Sequence, residues 1–89
     1  MKRDMDLIRR ILEYLEGQET PGLFTPPEFP NVSTHQVCYH AKLCRQAGYI
    51  SDYEETVGGD GPPRILICRL GELTWAGHEA LNGLRSTKS

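Results

Sequence analysis

Apolar residues recur at helical spacing in three stretches of this chain and at strand-like spacing between the last two. From Asp4 to Glu16 the apolar positions are Met5, Ile8, Ile11, Leu12 and Leu15, with Arg9, Arg10, Glu13 and Glu16 opposite, which predicts an amphipathic helix. Asp4 or Asp6 can accept from the free N–H groups at its start, and Gly17 is placed to end it. A second helix is predicted over 33–47, opened by a Ser33 and Gln36 capping box and closed by Gly48. At about 100° per residue, Val37, His40, Leu43, Cys44 and Ala47 gather on one side of it. Thr34, His35, Cys38, Lys42 and Arg45 gather on the other. Then come the strand formers Tyr49, Ile50, Tyr53, Thr56 and Val57, the turn-rich 58–63, and a β-rich run over 64–70, which together predict a hairpin. Both faces of Ile65-Leu66-Ile67-Cys68 are expected to be at least partly covered. A last helix is predicted from a Thr74 cap to Leu84, with Leu81 and Leu84 inward.

The connector 18–32 interrupts this pattern. Pro21, Pro26, Pro27 and Pro30 remove N–H donors and restrict the residues before them, so no long helix can run there. Leu23, Phe24 and Phe29 are apolar enough to pin it to a core. Thr25-Pro26-Pro27-Glu28 is expected to form one helical turn with Thr25 as cap.

Length and charge narrow the classes. With 89 residues, 38% hydrophobic and 25% charged, the chain has the balance of one small globular domain. Its apolar runs fall far short of the roughly 18 residues of a membrane span. The start, Lys2-Arg3-Asp4-Met5-Asp6, lacks the apolar core of a secretory signal, so a cytoplasmic location is expected. Cys38, Cys44 and Cys68, an odd number at unremarkable spacings, are therefore expected to be reduced, Cys38 on the surface and Cys44 buried. A net charge of −2 argues against a strong non-specific nucleic-acid binder.

The order helix, connector, helix, hairpin, helix resembles a winged helix-turn-helix. Met1-Lys2-Arg3-Asp4-Met5-Asp6-Leu7-Ile8-Arg9, Tyr39-His40 with Leu43, Ala47-Gly48-Tyr49-Ile50, and Leu73-Thr74-Trp75 with Gly77-His78-Glu79 resemble the signature stretches of the YjcQ-like family. These are small winged-helix proteins of unknown function from bacteria and phages. The likeness spans nearly the whole chain; the proline-rich connector and Tyr49, where an aliphatic residue is usual, depart from it. It implies an α+β fold of three helices and a β-hairpin wing, with a shortened, proline-rich second-helix region. It implies no catalytic residue. One winged-helix domain is expected over 1–85, followed by a polar tail over 86–89, with fraying from Arg85 onward.

The second helix carries the most informative surface. No acid occurs between Glu28 and Asp52, so Thr34, His35, Gln36, Lys42, Arg45 and Gln46 form a locally cationic, hydrogen-bonding set suited to phosphates and base edges in a major groove. Arg64 on the hairpin can join them. Against this, prolines leave little of the helix that usually crosses the DNA backbone, and Asp52, Glu54, Glu55 and Asp60 make the wing a poor DNA arm. DNA contact would therefore rest on the helix, doubled in a homodimer reading two half-sites.

Other constellations read as structure. Cys38, His40 and Cys44 lie on one helix at spacings unlike those of zinc sites, so no metal is expected. His40, central on the apolar face, reads as a neutral core residue bonded to a backbone carbonyl. Trp75 reads as a core anchor. The glycines of 58–63 join two strands and open no helix, so they make a wing tip and no phosphate cradle. No nucleophile elbow or activated cysteine is present, so neither enzymatic activity nor a small-molecule cofactor is expected. Two functions remain: a small DNA-binding regulator of phage or prophage origin, or a winged-helix module that binds a protein partner without DNA.

Overall fold

The computed structural model describes residues 2–86. It contains α1 (Met5–Glu16), α2 (Thr34–Gln46), β1 (Tyr53–Gly58), β2 (Arg64–Leu70) and α3 (Trp75–Ser86), an α+β arrangement of three helices and a two-stranded antiparallel hairpin. Asp4 is the cap of α1, its Oδ1 accepting from the N–H groups of Asp6 and Leu7 at 3.0 and 3.2 Å. The capping box of α2 closes in both directions: Gln36 N–H donates to Ser33 Oγ at 3.1 Å, and Ser33 N–H to Gln36 Oε1 at 2.9 Å. Thr74 Oγ accepts from Gly77 N–H at 3.0 Å and donates to the Gly48 carbonyl, tying the start of α3 to the end of α2.

The connector departs from expectation, because residues 25–28 hold no helical turn. Pro26 and Pro27 lack donors, and Pro27 pushes Pro26 away from helical backbone angles. The chain instead runs extended. Phe24 exchanges two 2.8 Å backbone bonds with Leu70, on the side of β2 away from β1. The Tyr14 hydroxyl donates to the Thr25 carbonyl at 3.0 Å, and the Arg10 guanidinium lies 5.3 Å from the Phe29 ring centre.

A bulge governs the hairpin. Thr56 faces Ile67 while Val57 faces Ile65, which leaves Leu66 as an extra residue on β2. The alternation is thereby re-phased, so that Ile65, Cys68 and Leu70 all turn inward. Leu66 and Ile67 are about half exposed, so only one face of β2 is covered, contrary to expectation.

Leu7, Ile8, Ile11, Leu12 and Leu15 of α1 pack with Val37, Ala41 and Cys44 of α2, Ile50, Leu70 of β2 and Leu81 of α3 in one buried cluster. Cys38 and Cys68 are disulfide-bonded with Cα atoms 5.9 Å apart, joining α2 to β2. This corrects the expectation of reduced thiols and of a surface Cys38. The pairing depends on how the hairpin folds over the helix, which cysteine spacing does not encode. Cys44 is free and buried, and burial pushes its thiol up to about 12.

Two further expectations fail at α3. Trp75 is 83% exposed and anchors nothing in the core. As the first residue of α3 it points away from the packed side, where Gly77 lies against the Tyr49 carbonyl. Arg85 does not fray: it pairs with Glu16 at 2.6 Å and Glu13 at 3.4 Å across the α1 seam, and helix continues to Ser86. The rest of the expected tail, 87–89, lies outside the described residues.

Candidate nucleic-acid interface

Helix α2 is covered on two sides. Val37, His40, Ala41 and Cys44 are buried toward α1, while Cys38 is bonded to β2. His35 Nδ1 accepts from the Ile65 N–H at 2.9 Å, pinning the first turn of α2 to the hairpin. The side bearing Thr34, Cys38 and Arg45 therefore runs along the hairpin and is not the open face that periodicity suggested. Leu43 and Ala47, expected on the buried side, are partly to fully exposed. The buried arc is rotated toward Cys38 and Ala41 because a second element packs there. The open stripe is centred on Tyr39, Leu43 and Gln46, with Gln36 on one flank and Lys42 on the other.

Each candidate residue now has a place. Gln36 and Gln46 are exposed on the stripe, although Gln36 Oε1 is held by the capping box. Lys42 Nζ lies 3.5 Å from Glu55 Oε2 of β1, and Glu55 also accepts from the Tyr53 hydroxyl at 2.9 Å. Burial, reinforced by that carboxylate, raises the Tyr53 hydroxyl well above its ordinary value. Thr34 and Arg45 are exposed at opposite ends of the hairpin side of α2. Arg64 is exposed beside His35, Asp60, Pro62 and Pro63, around a cavity of about 360 Å³. The structure thus gathers Gln36, Lys42 and Gln46 and leaves Thr34, His35, Arg45 and Arg64 around the margin. The charge run free of acids in sequence meets an acid in space, because β1 brings Glu55 to Lys42.

His40 behaves as expected of a core residue. It is 2% exposed, its Nδ1 lies 2.8 Å from the Gln36 carbonyl, and its Nε2 accepts from the Asp4 N–H at 2.9 Å. Only a neutral imidazole protonated on Nδ1 serves both partners. The Asp4 bond was not legible in the sequence, and it brings the segment before α1 against α2. Lys2 and Arg3 consequently line a groove of about 580 Å³ with Asn31, Gln36 and His40. Arg3 also lines a second groove, of about 310 Å³, with Leu43, Gln46 and Tyr49. The basic pair was visible as a pair; its neighbourhood was not.

Among the described residues no group of three His, Cys, Asp or Glu side chains is arranged to hold a metal ion. No helix among them is long and apolar enough to cross a membrane.

Fold and surface together define a small α+β domain, compatible with a winged-helix arrangement, that presents one face of its middle helix. The chain belongs to the family described as Hypothetical protein (DUF2513), whose model matches residues 2–89. An uncharacterized protein of Haemophilus influenzae is 41% identical over 87 residues, covering 97% of this chain and 70% of that protein. No solved structure matches the chain significantly.

Proposed function

We propose that this chain is a small DNA-binding protein, a transcriptional regulator of phage or prophage origin, that lays the open stripe of α2 in a major groove. The observation that carries this reading is the composition of that stripe: two glutamines, a tyrosine, a leucine and a lysine, with no carboxylate among its own residues. Glutamine amides suit base edges, and Lys42, Arg45 and Arg64 suit the phosphates on the hairpin side of the stripe. The resemblance of its signature stretches to the YjcQ-like winged-helix proteins supports the same reading. One copy offers few phosphate contacts, so a homodimer on two half-sites is the expected bound form.

The test is an anisotropy titration against host-derived DNA fragments at low and moderate salt. Wild type should bind, and binding should weaken steeply as salt rises. Charge reversal of Lys42 and Arg45 should abolish it without unfolding the chain. No detectable binding by folded wild type at low salt would refute the proposal.

A protein-interaction role is favoured by one observation, the exposure of Trp75 together with Val57, Leu66 and Ile67 on the hairpin. Exposed aromatic and aliphatic side chains of this kind mark protein contacts more often than DNA contacts. Such a complex, if mainly apolar, need not weaken as salt rises.

A further inference from the structure

We infer that Lys2 and Arg3 form a second, sequence-independent phosphate contact beside the α2 stripe; this rests on the DNA-binding reading above. Three observations converge on it. The segment is attached to α2, since Asp4 N–H donates to His40 Nε2 and His40 bonds the Gln36 carbonyl one turn earlier. Arg3 therefore lies in the grooves that also hold Gln36 and Gln46, at the two ends of the open stripe.

The charge of the pair is also uncompensated. Asp4, its nearest acid in sequence, turns its carboxylate to the N–H groups of Asp6 and Leu7. Asp6 is engaged by Arg9 and Arg10 at 2.7 and 3.6 Å. Neither Lys2 nor Arg3 has an ion-pair partner among the described residues. On the other flank of the stripe Lys42 lies 3.5 Å from Glu55 Oε2. Lys2 and Arg3 thus put two cations, unpaired among the described residues, beside the stripe on the side opposite the wing, and the ligand chemistry they fit is the backbone phosphate of the DNA whose bases α2 faces.

The experiment compares wild type with the double variant Lys2→Ala/Arg3→Ala, in the full chain, on one bound fragment and on an unrelated fragment of equal length. Both positions are exposed, so thermal melts should coincide. Each phosphate contact contributes about 0.9 to the slope of log affinity against log salt, so the double variant should be shallower by about 1.8. Between about 50 and 200 mM salt it should therefore lose roughly 12-fold less affinity than wild type. The change should be the same on both fragments. An unchanged slope, with wild type binding normally, overturns this inference and leaves the α2 reading standing. A change confined to one fragment also overturns it, since that is the behaviour of a base contact. Failure of wild type to bind removes both readings.

Discussion

Alanine at Gly77 and alanine at Gly83, two glycines of the same helix, should move stability in opposite directions. Helix propensity alone predicts a gain of about 1 kcal/mol at either position. Nothing lies within 4 Å of a Cβ built at Gly83, so Gly83→Ala should realise that gain. At Gly77 the added carbon would stand 2.5 Å from Leu73 Cδ2 and meet the Tyr49 carbonyl oxygen even more closely. That oxygen cannot yield freely, because it accepts the Thr74 N–H at 3.0 Å and so holds the start of α3. Overpacking against fixed atoms costs typically 1–3 kcal/mol. Backbone contact belongs at the upper end, so after the propensity gain Gly77→Ala should lose about 2 kcal/mol net. In a domain of this size each kcal/mol moves the melting temperature by roughly 4–8 °C. Urea unfolding of the three proteins, with the midpoint shifting at constant m, measures both signs. A Gly77→Ala variant as stable as wild type, or more so, would refute the packing of α3 on the Tyr49 carbonyl.

Reducing the Cys38–Cys68 bond, which spans 30 residues, should cost about 3–4 kcal/mol on the loop-entropy model. Thiol titration of the unfolded, unreduced chain should find one thiol, and three reactive thiols would contradict the bond. Arg85 holds the Glu16 carboxyl below its ordinary value of 4.5. A carboxyl lowered on folding contributes stability that is fully present above its unfolded value and is lost as pH falls through the folded one. Glu16→Gln should therefore flatten the acid limb of stability below about pH 5, and an identical limb would contradict the pairing. His40→Leu should destabilise the chain by about 1–3 kcal/mol by stranding the Asp4 N–H, seen as faster exchange of that amide. Glu55→Gln should release Lys42 and strengthen DNA binding with a slope steeper by about 0.9; weaker binding would argue that Glu55 orients the lysine.

Periodicity and caps determined the elements of this protein. Asp4, Ser33 with Gln36, and Thr74 each satisfy N–H groups within their own helix, and the prolines of the connector exclude helix by local backbone chemistry. Such interactions span a few residues, so they are written in the sequence and survive into the fold. His40 was legible as a core residue for a similar reason, its position among the apolar residues of α2.

The faces of those elements were decided elsewhere. Thr34, Cys38 and Arg45 share a polar side of α2 by any local criterion, yet the hairpin packs on its middle and is joined to it through Cys68, leaving Thr34 and Arg45 exposed at its ends. The bulge at Leu66, which turns Ile65, Cys68 and Leu70 inward together, follows from how β2 pairs with β1. Glu55 reaches Lys42 and Asp4 reaches His40 across 13 and 36 residues of chain. A helix has room for more than one covered side, and its own sequence does not say how many neighbours will pack against it. Which surface stays open for a partner was therefore left to tertiary structure.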